Sequence, residues 1–245
     1  MRKSVTSRLK CLLATLAATA MPLGGLHAAD AAAAAGQSCR AGTLYLTFDT
    51  GSMSQAQLIA DTLRRHHIKA TFFLANEPTI NKDSSLDAGW APYWKALAAD
   101  GHAFGTHTYD HVYLRSVRDG KVTMRPQFGA EAGKDVTMDA NGFCRELQRS
   151  AQALRGMTGV DMVPLWRAPG GRTAPQTLQW AEQCGFRHVG WAPAGFLGDE
   201  LSSERYPNQA LLARALRDLR DGDIAWRTLA SGRARIRGRL ACSSR

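Results

Sequence analysis

Strand and helix patterns alternate along most of this 245-residue chain, which predicts an α/β fold built on a parallel sheet, open or closed as a barrel. Three observations carry that prediction. Short apolar runs recur between helical patterns, the helical patterns close at glycines, and three polar strings stand at the ends of predicted strands. The strings are Thr47-Phe48-Asp49-Thr50-Gly51, His107-Thr108-Tyr109-Asp110-His111 and Arg167-Ala168-Pro169-Gly170-Gly171. In a parallel α/β barrel the carboxyl ends of the strands share one face, so the three strings are expected to meet there.

Leu44 to Phe48 reads as the first strand, and Ser54 as the cap of a helix whose Leu58, Ile59 and Leu63 follow helical spacing. Lys69 to Leu74 is the second strand, Trp90 to Asp100 a helix closed by Gly101, and His102 to Thr108 a strand leading into the histidine string. Asn141 to Gly156 is helical, Val163 to Arg167 a strand, and Ala174 to Cys184 a helix closed by Gly185. His188 to Trp191 is another strand, and Asn208 to Leu219 an amphipathic helix closed at Gly222. Between Val112 and Ala140 the pattern breaks, and two polar–apolar stretches suggest a hairpin lying over the site.

The ends of the chain differ from its body. Arg2, Lys3, Arg8 and Lys10 precede an apolar, alanine-rich stretch from Cys11 to Leu26, which predicts a signal peptide over 1–28 followed by a linker over 29–42. The stretch is too short and wrongly flanked for a membrane span. The formal charge of +10 suggests a polyanion partner. Residues 1–29 carry four cations and residues 225–245 six arginines, neither with an acid; without those ten, 21 basic residues face 21 acidic ones. A neutral body argues against nucleic acid. Cys39, Cys144, Cys184 and Cys242 lie beyond the leader; their wide spacing argues against a cysteine zinc site and leaves buried thiols or one structural bridge, Cys144 with Cys184 being one pairing.

A carboxylate, a histidine pair four apart and an arginine able to hold the carboxylate suit a metal-assisted hydrolase. Each has a plainer reading alone: Asp49 as a cap, the histidines as a polar pair, Arg167 as a surface ion-pair residue. Their occurrence together in this order favours the chemistry. His66 and His67 are expected in solvent, and His102 near the site without binding metal.

The ordered set resembles the polysaccharide deacetylase family, the NodB-homology fold of carbohydrate esterase family 4. Its strings are Thr-Phe-Asp-Asp-Gly, His-(Ser/Thr)-x-x-His and Arg-x-Pro-x-Gly, and Gly101 to His107 resembles its approach to the second string. The resemblance spans about residues 43 to 224. It implies a single domain with a distorted (β/α) barrel, and an enzyme that hydrolyses the acetamido C–N bond of N-acetylated polysaccharides or oligosaccharides with a divalent metal, zinc foremost; the leader pattern predicts that it is exported, periplasmic or secreted. By resemblance Asp49 matches the general base, Arg167 the residue that orients it, and His107 and His111 two metal ligands. The alternative is a catalytically impaired carbohydrate-binding relative.

Three departures stand out. Thr50 occupies the place of the family's second Asp, a metal ligand, and Asp110, Asp49 or water could substitute. Trp191 to Gly195 lacks the acids usual in the fourth string, although Asp199 and Glu200 follow. No histidine follows His188, so the family's late Leu-x-His acid is missing. Composition also changes after Ile224, to an arginine-rich tail over 225–245. Back-translation from the third base of codon 225 permits Leu/Met-Ala-His-Leu-Gly-Ile-Trp-Ser-Arg, an apolar strand that reaches histidine. One base missing in or near codon 225 accounts for this; a genuine basic tail is the other account. As written, the chain is expected to lack the rest of its last strand.

Overall fold

The computed structural model describes residues 42–198, 201–202 and 204–230. The expected leader, all of the linker but its last residue, Asp199, Glu200 and the tail from 231 lie outside the described residues. The elements are β1 (Tyr45–Asp49), α1 (Ala56–Arg65), β2 (Thr71–Leu74), α2 (Ala91–Ala99), β3 (Ala103–Thr106), β4 (Tyr113–Arg118), β5 (Lys121–Arg125), β6 (Val136–Met138), α3 (Ala140–Thr158), β7 (Leu165–Trp166), α4 (Pro175–Gln183), β8 (Arg187–His188), α5 (Asn208–Asp218) and β9 (Ile224–Thr228).

Six strands form one sheet in the order β8-β7-β3-β2-β1-β9, and every pairing is parallel. Register aligns Phe48 with Phe72 and Phe72 with Phe104, so three rings stack across β1, β2 and β3 at 5.3 and 6.0 Å. Trp94 of α2, Leu63 of α1 and Leu154 of α3 close over them. Covered strands of this kind are continuously apolar, which is why β2 reads Thr-Phe-Phe-Leu.

The sheet curls into a distorted half-barrel. The chain beyond β8 comes round to β9, where Ala192 N donates to Ile224 O at 3.0 Å and Leu197 N to Trp226 O at 3.2 Å, with a parallel bridge between Phe196 and Trp226. A Cβ on Gly195 would stand 2.1 Å from the Ile224 carbonyl, so this seam needs glycine.

The expected hairpin is a three-stranded antiparallel sheet, β4-β5-β6. Its first turn, Asp119-Gly120, has φ of 49° and 72°, the doubly positive turn that matches strand twist. Val112, Leu114, Val122 and Met124 join Phe143, Leu147 and Trp166 in a second core beneath it.

Three sequence expectations change. The cap of α1 is Gln55, whose side chain makes no capping bond to the helix, while Ser54 accepts a hydrogen bond from Ser52 at 3.2 Å. His102 lies at the amino end of β3, away from the three strings, and its Nδ1 accepts from Ala70 N at 3.1 Å. Most consequentially, the ordered domain passes the boundary expected at 224. β9 pairs with β1 from Ile224 through Thr228, and Leu229 beyond it is fully buried. Parallel pairing uses backbone groups alone, and Ala225, Trp226 and Leu229 are apolar enough to be buried there.

A disulfide joins Cys144 of α3 to Cys184 just after α4. Closing a loop between residues 40 apart restrains the unfolded chain by about 4 kcal/mol on a chain-entropy reckoning, and native bridges typically contribute about 2–4 kcal/mol. The Cys144→Ser, Cys184→Ser variant is therefore expected to lose about 2–4 kcal/mol of unfolding free energy in urea titrations under oxidising conditions. Added reductant should lower the parent to the same level.

Candidate active site

β1, β3 and β7 run in the same direction, so the residues at their carboxyl ends converge. Asp49 ends β1, His107 follows β3, and Arg167 follows β7. All three are buried, Arg167 completely. Arg167 Nη1 donates to Asp49 Oδ1 at 2.9 Å, while its Nε and Nη2 donate to the carbonyls of Val189 and Gly190, each at 3.2 Å. Its guanidinium lies 4.3 Å over the ring of Phe73. Planar, forked and always charged, arginine suits this position better than lysine.

The other oxygen of Asp49 accepts a hydrogen bond from Trp226 Nε1. Burial pushes the Asp49 pKa up, more than Arg167 and the Trp226 bond pull it down. His107 Nε2 stands 3.5 Å from the same Oδ2, and His107 Nδ1 lies 2.9 Å from the Arg167 carbonyl. A carbonyl only accepts, so Nδ1 carries the proton and Nε2 presents its lone pair. Burial holds the His107 pKa down to about 3, which keeps the ring neutral. An acceptor thus faces an acceptor, an arrangement that a proton or a cation between them stabilises.

His111 completes the pair, its ring 4.8 Å from that of His107. Burial, and then His107, lower its pKa to about 3, and its buried Nδ1 has no hydrogen-bond partner among the described residues. The segment between the two is no helix. Thr108 and His111 hold φ of 58° and 48°, a left-handed conformation costing about 1–3 kcal/mol for a side-chain-bearing residue. Local bonds sustain it: Thr108 Oγ1 donates to His107 O at 2.6 Å and accepts from Val112 N at 2.7 Å.

Two neutral imidazoles beside carboxylates fit a divalent ion such as zinc. Among the described residues no ready-made cage of three His, Cys, Asp or Glu side chains is present. Asp110 does not supply the oxygen that Thr50 lacks: it pairs with Arg149 at 2.9 Å, and its amide donates to Glu146.

The cavity above these groups is about 700 Å³. Glu77, Trp226 and Thr228 are among the lining residues that sequence reasoning missed. Glu77 follows β2 and was open to the same strand-end logic that found Asp49; the other two sit behind the compositional break. Trp226 is sandwiched between Trp191 at 4.7 Å and Phe196 at 5.1 Å, both nearly parallel to it. Trp191 lines this cavity, whereas Trp94 is core and Trp90 lines a separate pocket. Tyr113 of β4, Gln127 and Phe128 bring the small sheet to the cavity's other flank.

A parallel sheet that delivers this constellation from its strand ends defines a class. A family model described as polysaccharide deacetylase matches residues 37–189, and the chain belongs to that family. It is 28% identical over 156 residues to a chitooligosaccharide deacetylase of Azorhizobium caulinodans, covering 61% of this chain and 58% of that one. It is 26% identical over 149 residues to a peptidoglycan-N-acetylglucosamine deacetylase of Bacillus cereus, covering 60% and 43%. The chain thus spans about half the length of these curated relatives. A family 4 carbohydrate esterase from Streptomyces lividans, solved with acetate, superposes with a TM-score of 0.54 at 20% identity, over 78% of this chain and 80% of that one. A family 4 pseudoenzyme from Bacillus anthracis gives 0.56 at 18%, over 79% and 57%. At these identities the two structures establish the fold alone, the NodB-homology fold.

Two predictions follow from burial. Arg167→Met leaves the Asp49 carboxylate without its partner and should cost about 3–5 kcal/mol in urea unfolding; adding Asp49→Asn should recover part of that. Burial also holds His188 down to about 4. With His107, His111 and His188 depressed in the fold, the unfolded chain takes up protons first as pH falls. Their stabilisation is complete above about pH 6.5 and is lost as pH falls towards 4 and below. Asp49, with its raised pKa, opposes the trend. In chelator, the melting temperature should fall between about pH 6.5 and 4, and His188→Gln should flatten that slope.

Proposed function

We propose that the chain is an exported, metal-dependent polysaccharide deacetylase that hydrolyses the acetamido C–N bond of N-acetylated sugars. One observation carries this reading: His107, its proton directed to the Arg167 carbonyl, turns a lone pair onto the carboxylate that Arg167 holds. His107 and His111 would hold the ion, zinc being suited to neutral imidazoles. When bound, such an ion polarises an acyl oxygen and acidifies water.

Asp49 is the base. Arg167 fixes Oδ1, and Oδ2, which also accepts from Trp226 Nε1 and lies beside His107, takes a proton from water. The raised pKa makes it a stronger acceptor than an ordinary carboxylate, nearer to what proton abstraction at neutral pH requires. The Trp191–Trp226–Phe196 stack offers apolar surface to a sugar ring. Relatives named for chitooligosaccharide and peptidoglycan substrates support an N-acetylated polymer or oligomer. The leader pattern and the Cys144–Cys184 bridge support a periplasmic or secreted location. Among the described residues no helix is long and apolar enough to cross a membrane.

Departure of an amine needs an acid, and among the described residues β9 and the two residues after it line the cavity with Trp226, Thr228 and Ala230. Thr228 pairs in register with Asp49. In the shifted frame this is the position that receives histidine, while the leucine after it keeps the buried place of Leu229. The missing-base account thus puts the acid beside the base. A second reading, a sugar-binding relative without turnover, draws on Thr50 and Thr228 in the chain as written and on the pseudoenzyme that shares the fold.

The chain as written is expected to release acetate from N-acetylglucosamine oligomers barely above background. Thr228→His should raise the rate by about 10²–10⁴-fold, the usual worth of a positioned acid, and Asp49→Asn should abolish that gain. Resequencing across codon 225 should find the extra base. Oligomer binding without acetate release, in both Thr228→His and the frame-restored protein, would favour the second reading.

A further inference from the structure

Helix α3 carries a carboxylate on its buried face. Glu146 shares that face with Phe143, Leu147 and Leu154 and is itself buried. A carboxylate in such company is costly unless its lone pairs are used. Here they serve the histidine string. Glu146 Oε2 accepts from Asp110 N at 2.8 Å, and the Glu146 carbonyl accepts from Tyr109 N at 3.0 Å. Two consecutive amides between His107 and His111 thus end on one residue of a helix.

Arg149, one turn further along α3, closes the arrangement. Its Nη1 donates to Asp110 Oδ2 at 2.9 Å and to Glu146 Oε1 at 3.2 Å, and its guanidinium lies 3.9 Å over the ring of Tyr109. On the other side, the Asp110 carbonyl accepts from Gln127 N at 2.9 Å and Phe128 N at 3.3 Å, and both residues line the cavity. Gly129, at φ of 78°, fits closely over the same aspartate, where a Cβ would stand 2.7 Å from Asp110 Oδ2. Helix, histidine string and cavity flank therefore meet at Asp110.

A string that is not helical must send its amides elsewhere. The bonds of Thr108 tie His107 O and Val112 N, outside the middle of the string. The middle amides are those that Glu146 holds. His107 has a separate anchor, its ring being fixed by the Arg167 carbonyl.

We infer that Glu146 is a positioning residue of the site: it holds Tyr109 and Asp110 so that the string keeps its left-handed turns and His111 faces the cavity, and Arg149 locks that hold to the cavity's flank. Only the consequence for zinc rests on the metal-dependent reading above. The hold on His111 is independent of any ion.

NMR of labelled histidine rings on the full chain in chelator, with zinc titration calorimetry alongside, tests the inference without reference to turnover. In Glu146→Met, which keeps the length of the side chain and removes the acceptor, the His111 ring signals are expected to shift and broaden while those of His107 stay near their parent positions. Zinc affinity should fall by about 10–100-fold, the range for outer-shell partners. Glu146→Gln keeps an acceptor for Asp110 N and should restore both readouts towards the parent. The Cys144→Ser, Cys184→Ser variant loosens the same helix without touching the string and should leave the His111 signals unmoved. Arg149→Met, on the exposed side of the clamp, carries the test if Glu146→Met does not fold, with the same expected and overturning outcomes. His111 signals at their parent positions, or parent-like zinc affinity in a protein that loses zinc with His111→Ala, would overturn the inference. Zinc affinity unaffected by His111→Ala, with the His111 signals displaced in Glu146→Met, would remove the metal reading and leave the positioning role standing.

Discussion

The buried pair of Asp49 and Arg167 is the constraint around which the site is arranged. A carboxylate at this depth is costly unless its charge is met and its lone pairs are used. Arg167 meets the charge, and its two remaining donor directions end on backbone carbonyls of the segment after β8. The arginine therefore ties three parts of the sheet together: β1 through Asp49, β7 through its own backbone, and the chain beyond β8. Its carbonyl also fixes the tautomer of His107. One side chain thus sets the orientation of the base and, through the same residue's backbone, the face of the imidazole beside it.

The histidine segment shows how a short string can be committed to one purpose. Two residues with side chains sit in left-handed backbone conformation within five positions, and buried hydrogen bonds from Thr108 keep them there. Backbone strain held by surrounding structure is typical of functional loops. Relaxing the loop towards a helix would keep the four-residue spacing and lose the aim of both rings at the cavity.

The fold and the three strings were legible in the sequence because both rest on local signals. Alternating apolar runs and helical spacing declare a parallel sheet, and strand ends declare a common face. Asp49, His107, His111 and Arg167 meet there by that logic. Glu77, just past the end of β2, stands where strand-end logic points, but its local string does not mark it as pinned; its bond to Thr50, 27 residues earlier, does so. Trp226 and Thr228 were hidden for another reason. The arginine-rich composition after Ile224 signals an end to patterned sequence, whereas pairing with β1 carries the strand four residues further. The Ser54 cap and the place of His102 failed on a smaller scale, where one hydroxyl or one ring had several competing local partners.

The seam between the segment after β8 and β9 is knitted almost wholly from main chain, with Gly195 pressed against the Ile224 carbonyl and amides bonding across. Such a join is blind to spelling. Whatever residues arrive at β9, in either reading frame, present the same amides and carbonyls, and the architecture accepts them if they are apolar enough to be enclosed. Chemistry has no such tolerance, because a proton donor must be a particular side chain at a particular rung. A lesion here can leave the shape of the molecule standing while silencing what it does, and it would pass unnoticed by any assay of folding alone.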